Sequence, residues 1–155
     1  MPIKVPVFDD AVKTVKERVG QTLDQNGDGV FNEEDVMLIL GSIYKNSING
    51  IPRVSKPIDE FSNEFLNASS DIRIAAQKMI DNSIMKCTTS GFLTGFGGLI
   101  TLPVALPANV TSVLYVQMRM IASLAYMAGL NVNDDSVQTL VYACLAGVSV
   151  AEIVK

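Results

Sequence analysis

The chain has 155 residues, 48% of them hydrophobic and 18% charged, with a formal net charge of −4; that length fits one compact domain, or one with a small appendage. It contains no histidine, which excludes Ser-His-Asp and Cys-His catalysis, histidine-based zinc sites and imidazole pH switching. The acidic balance argues against a general nucleic-acid-binding face, and the only cysteines, Cys87 and Cys144, are too far apart for a Cys-x-x-Cys motif.

Residues 1–7, with Pro2 and Pro6, read as an extended leader. Val12, Val15, Val19 and Leu23 recur at helical spacing and predict a first helix over Asp9–Leu23. An acidic loop, Asp24–Asp35, precedes a second helix over Glu33–Tyr44, whose apolar set is Val36, Leu38, Ile39, Leu40 and Ile43. Asn46–Pro57 is rich in Asn, Ser, Gly and Pro and reads as a linker. A third helix is expected over Pro57–Asn67, with Pro in its first turn and Asp59 and Glu60 where the helix dipole favours acids.

Ser70 or Asp71 caps a fourth helix. Its inner stripe is Ile72, Ala75, Ala76, Met79, Ile80 and Ser83, with Arg73, Gln77, Lys78, Asp81 and Asn82 facing away. It fades into the glycine-rich stretch Gly91–Gly98. A long apolar helix follows over Pro107–Met127 and stops at Gly129, a suitable C′ residue. Asn133 or Asp134 caps the last helix, with the stripe Val137, Leu140, Val141, Cys144, Leu145 and Val148. Ala143, Gly147 and Ala151 on its other side would permit close helix–helix approach. The pattern breaks off at Lys155 without a cap, as in a fragment of a longer protein. There is no β signal and no internal repeat. The expected fold class is all-α, a helical bundle with an N-terminal helix-loop-helix.

Asp24-Gln25-Asn26-Gly27-Asp28-Gly29-Val30-Phe31-Asn32-Glu33-Glu34-Asp35 matches the EF-hand loop. Ca²⁺ takes about six to eight oxygens, and alternate loop residues turn theirs inward. The expected ligands are therefore Asp24, Asn26, Asp28, the Val30 carbonyl, Asn32 (directly or through water) and Asp35, with Gly29 at the sharp turn. The closing residue is Asp where a bidentate Glu is usual, so Ca²⁺ and Mg²⁺ both stay open. This Asp-ending loop resembles the calcium loops of bacterial dockerins, over Asp24–Tyr44. No second loop is present to pair with it. The hand docks on its own helical body, pairs with a second copy in a homodimer, or stands alone, and serves as a structural clip or a switch. The remaining reading is an Asn/Gly-rich turn that binds nothing.

After Lys86 the only charges are Arg119, Asp134, Asp135, Glu152 and Lys155. The uncharged run Cys87–Met118 is long enough to cross a bilayer, which takes about 20 apolar residues. Its Gly, Pro and Thr content leaves a buried core, reversible membrane contact and a true span all open. Met1–Arg18 carries mixed charge and no apolar signal region. The cysteines fit core filling in a reducing compartment, which makes the sequons at Asn67 and Asn109 chance matches. Met79, Met85, Met118, Met120 and Met127 form a soft apolar set suited to core filling.

Arg119 reads either as an anchor for a phosphate or lipid headgroup, or as a snorkelling or paired arginine at a bundle edge. Gln117 points about 160° away on a helix and is not part of one site with it. The Gly95-Phe96-Gly97-Gly98 turn has neither the Lys nor the strand of a phosphate loop.

Thr89–Pro103 reads Thr-Ser-Gly-Phe-Leu-Thr-Gly-Phe-Gly-Gly-Leu-Ile-Thr-Leu-Pro, followed by Leu106-Pro107-Ala108, Gln117-Met118-Arg119-Met120-Ile121-Ala122 and Tyr126-Met127-Ala128-Gly129. These motifs resemble the EcsC family of bacterial proteins over residues 70–155. The resemblance implies an all-helical protein of the cytoplasmic side, peripheral to the inner membrane. It also implies genetic linkage to ABC transporters and contact with membrane or membrane proteins. Family members are typically longer, and Ala105 stands where they often carry an acid. The EF-hand is not a general feature of the family. The expected organisation is a calcium-binding hairpin (1–48), a linker with a short helix (49–69) and an EcsC-like helical domain (70–155). The expected function is non-enzymatic calcium binding coupled to contact with a membrane or membrane protein. A pore-forming effector and an enzyme acting on lipid are the alternatives.

Overall fold

A computed structural model describes residues 26–29, 32–88 and 108–147. The described residues form five helices: α1 Glu33–Asn49, α2 Ile58–Asn67, α3 Ile72–Thr88, α4 Ala108–Met127 and α5 Asp135–Leu145. They contain no strand, only one isolated antiparallel bridge between Ile51 and Ser55. The all-α class expected from the periodicity holds. The predicted helix over Asp9–Leu23 and the glycine-rich turn Gly91–Gly98 lie outside the described residues.

The α1 helix starts where Asn32 takes extended backbone and its side chain accepts from the backbone N–H groups of Glu34 and Asp35. Asp35 returns the favour to the Asn32 N–H, completing a capping box with Asp in the third position. The helix runs five residues past Tyr44, through a stretch whose Asn and Ser content reads as linker. Both polar side chains fold back on the helix: Asn46 donates to the Ser42 carbonyl and Ser47 to that of Ile43. The buried face then continues through Ile43, Tyr44, Ser47 and Ile48. Of the apolar set read from the sequence, Val36 and Leu38 are exposed. Ile39 and Ile43 take the core side instead, one turn apart.

The α2 helix begins at Pro57, which serves as N-cap instead of first-turn residue, with Asp59 and Glu60 in the first turn. Asp71 precedes α3 and accepts from the Arg73 N–H at 2.7 Å. The α3 stripe buries Ala75, Met79 and Ser83, but Ile72 at its start is 50% exposed. The α4 helix ends in a Schellman motif: Gly129 takes φ +86, its N–H bonds the Tyr126 carbonyl, and Leu130 N–H bonds Ala125. Asp134 caps α5. That helix stops at Leu145, and Gly147 has φ +83. Gly147 therefore belongs to the helix end and not to a small-residue packing stripe; Val148 and Ala151 lie outside the described residues.

The α4 helix is the hub, touching each of the other four. One side carries Tyr115, Val116, Met118, Ala122 and Ala125 into a core with Ile39, Ile43, Tyr44 and Ile48 of α1 and Val137 and Val141 of α5. The other carries Met127, with Met120 and Leu124 beside it, against Phe61 of α2 and Met79 of α3. Met79, Met118 and Met127 fill core as expected, whereas Met85 is exposed. Cys144 is a half-buried free thiol. The expected boundary at residue 48 falls at the end of a helix whose inner face shares its core with α4 and α5. No described helix is long and apolar enough to cross a membrane.

Tyr44 ties α1 to the far end of the chain by donating to the Val132 carbonyl at 2.7 Å. Its ring meets Tyr142 edge-on at 5.8 Å. Burial, with a smaller contribution from Tyr142, pushes the Tyr44 phenol up to about 12. Burial also raises Tyr142. The folded chain therefore holds these protons after the unfolded chain has lost them. The stability they confer is complete below about pH 10 and is lost as pH rises toward 12. In an ultraviolet phenolate titration, Tyr44→Phe should remove the last-titrating chromophore, and its melting temperature should fall less steeply above pH 10 than that of wild type. Equal alkaline slopes would contradict the assignment.

Candidate metal loop and cationic cleft

Of the expected metal ligands, Asn26, Asp28, Asn32 and Asp35 fall among the described residues; Asp24 and Val30 lie outside them. The four come together. Asp35 is fully buried at the start of α1. One of its carboxylate oxygens accepts from the Asn26 N–H at 3.3 Å, the other from the Asn32 N–H at 2.9 Å. Asp28 Oδ2 accepts from the side-chain amides of both Asn26, at 3.1 Å, and Asn32, at 3.2 Å. Asn26 Oδ1 in turn accepts from the Asp28 N–H at 3.0 Å, a tight local turn. Gly27 and Gly29 both have positive φ, +78 and +85, and let the chain double back between these side chains. Gly27 is a second left-handed position beyond the one assigned to Gly29 from the sequence.

Every side chain gathered here offers oxygen, and rotating the two carboxamides exchanges their N–H₂ donors for Oδ1 acceptors around Asp28. This donor set fits a hard divalent cation and no soft one. Among the described residues no three acidic or cysteine side chains gather at one point. Asp24 is the third carboxylate of the sequence motif. Asn32 is doubly committed, since its Oδ1 also caps α1.

Arg119 is 7% exposed, near the middle of α4. Its Nη1 donates to the Ser47 carbonyl at 2.8 Å and its Nη2 to the Lys56 carbonyl at 2.5 Å. Ser47 lies in the last turn of α1, which carries no basic residue of its own. Arg119 thus supplies, from another helix, both a donor for an orphan carbonyl and the positive charge that the helix end favours. Burial lowers its pKa, while Tyr115 favours the charged form. The structure pairs Arg119 with two backbone carbonyls inside the bundle and not at its edge. Gln117 is exposed, away from it.

Arg119 also forms part of the wall of a cleft of about 470 Å³ between the 53–56 turn, α2, α3 and α4. Lys86 and Arg119 both lie against the Phe61 ring, at 5.4 and 4.5 Å from its centroid. Arg53 and Lys56 complete the cationic lining, and Glu64, ion-paired to Lys56, is its one carboxylate among the described residues. Burial lowers the Lys86 pKa, Arg119 lowers it further and Glu64 opposes both; Glu64 holds Lys56 above its usual value. Asn82, expected to face away, lines the same cleft, and its Oδ1 is buried without a hydrogen-bond partner. A smaller chamber of about 220 Å³ adjoins it, walled by Phe61, Tyr115 and Val116.

Sequence reasoning singled out Arg119 here and missed Arg53, Lys56, Lys86 and Asn82. One signal was available: Lys86 and Arg119 bracket the uncharged run, as its last and next charges. A helical hairpin that closes such a run brings its two ends together.

Searches against protein-family models, curated proteins and solved structures find no match to this chain. The resemblance to EcsC proteins therefore rests on the motifs quoted above.

Proposed function

We propose that this chain is a non-enzymatic binding protein whose Asp24–Asp35 loop takes up Ca²⁺, or Mg²⁺ in its place. The observation that carries the reading is the convergence of the Asn26 and Asn32 side chains on Asp28, next to the buried carboxylate of Asp35. Asp24 and the Val30 carbonyl complete the set in the motif. Asp35 opens α1, and α1 is built into the core. A cation held by Asp35 and Asp24 would fasten the segment before α1 to the helical body, which favours a clip over a free-standing switch. Neutralising carboxylates that otherwise repel one another supplies the driving force.

Isothermal titration tests the metal. Wild type should take up one Ca²⁺ with saturable heat, and Asp28→Ala should show none. Equal heats in the two proteins would remove the site.

Within the uncharged run Cys87–Met118, the part before α4 is the segment we assign to contact with a membrane or membrane protein, as the EcsC-like motifs suggest. Flotation with lipid vesicles, with and without Ca²⁺, separates the two roles. Binding in both conditions fits the clip. Binding only with Ca²⁺ makes the loop a switch, and no binding in either assigns the run to the helical body.

A further inference from the structure

We infer that the cleft between the 53–56 turn, α2, α3 and α4 binds the phosphate group of a ligand. Four cationic side chains, Arg53, Lys56, Lys86 and Arg119, line it against one carboxylate, Glu64. That balance is the reverse of the whole chain, whose net charge is −4. Placing like charges together is unfavourable unless something offsets them. Arg119 and Lys86 share the Phe61 ring, and among the described residues the four cations of the cleft meet one carboxylate, Glu64, which is ion-paired to Lys56, so part of this charge is left for an incoming anion to neutralise.

Three further observations point the same way. Arg53 has φ +67, a left-handed conformation that non-glycine residues adopt only rarely. Such strain persists where the surroundings hold it, and it gathers at binding sites. Asn82 contributes a carboxamide whose Oδ1 is buried and unpartnered; turned over, the same group places Nδ2, a donor, in that position. The adjoining chamber shares Lys86 and Arg119 with the cleft, and its Val54, Phe61, Tyr115 and Val116 side can take a short hydrocarbon portion of the same ligand. Arg119 has spent two donors on carbonyls but keeps its full charge, while Lys86, exposed and beside the Phe61 ring, has an ammonium that can meet a phosphate.

The phosphate can belong to a lipid headgroup or to a soluble phosphoester, and the experiment separates the two. Full-length chain is titrated, with a chelator present so that the metal loop plays no part, against dihexanoyl phosphatidic acid and against inorganic phosphate. Dihexanoyl phosphatidylcholine, whose phosphate is masked by choline, is the control. Phosphatidic acid should bind. Lys86→Gln should weaken it about tenfold, since a charge-assisted contact is lost. Glu64→Gln should tighten it, because Lys56 is released and the opposing charge removed. Stronger binding of phosphatidic acid than of inorganic phosphate identifies a lipid; equal binding identifies a soluble phosphoester. Both variants change residues at the rim, so their thermal melting should match wild type. Affinities unchanged in both variants, equal binding of the choline lipid, or no binding of either phosphate probe would each overturn the inference. The outcome is independent of Ca²⁺ titration, which reads the other site.

Discussion

Arg119→Met should lower the stability of the fold by about 3 kcal/mol, and the melting temperature by about 10 °C. The side chain is 7% exposed, and methionine keeps its stem while deleting the guanidinium. Two carbonyls, those of Ser47 and Lys56, then lose their donor inside the protein. Each buried unsatisfied group costs about 1–3 kcal/mol, and the last turn of α1 loses the cation at its negative end as well. For a chain of this size about 1 kcal/mol moves the midpoint by about 2–4 °C. Arg119→Lys should recover less than half of the loss, because a single ammonium cannot reproduce the fork that spans both carbonyls. A methionine variant melting within about 2 °C of wild type would show that the clamp adds nothing.

Gly50→Ala should cost about as much, by a different route that ends at the same atoms. Gly50 has φ +76 and ψ 171, a region that essentially only glycine occupies. An added Cβ would stand 2.5 Å from the Ser55 carbonyl oxygen and 2.7 Å from that of Lys56. Both are backbone atoms, so no side chain can swing aside. The 51–56 turn has to move, and the Lys56 carbonyl moves away from Arg119 with it. We expect a loss of about 3 kcal/mol by urea denaturation. Because both substitutions break one bond, the double variant should be less destabilised than the sum of the two. Full additivity would mean that Gly50 acts through the turn alone.

These two residues mark where sequence reasoning reached and where it stopped. The helices from Pro57 onward were legible because each carries local signals: acids in the first turn of α2, Asp71 before α3, Gly129 after α4, Asp134 before α5. In the loop before α1 the spacing predicts that Asn26, Asp28, Asn32 and Asp35 gather, and they do. The end of α1 was not legible. Asn46, Ser47 and Asn49 have turn-like character, and only burial of Ile48 against α4 and the side-chain bonds of Asn46 and Ser47 keep that turn helical. Which of Val36, Leu38, Ile39, Leu40 and Ile43 face the core was not legible, because an apolar set without a clear single stripe does not specify the inner side. Arg119 stood out as an isolated charge, but its partners are backbone carbonyls, which no side-chain pattern announces. Asn82 lies next to Ser83 on α3, and a residue at the margin of a stripe turns inward when a cleft opens beside it.

The bond from Tyr44 to the Val132 carbonyl joins positions 88 apart, and it bears on how the chain acquires its structure during synthesis. The α1 helix emerges from the ribosome early, yet its packing partners belong to α4 and α5. At translation rates of roughly 5–20 residues per second, several seconds separate the two. Throughout that interval Ile39, Ile43 and Ile48 have only the nearby Ile51, Val54 and Ile58 of their native core, and the hub helix supplies the rest only later. Vectorial folding therefore contributes little to this core, most of which closes only once α4 and α5 are made.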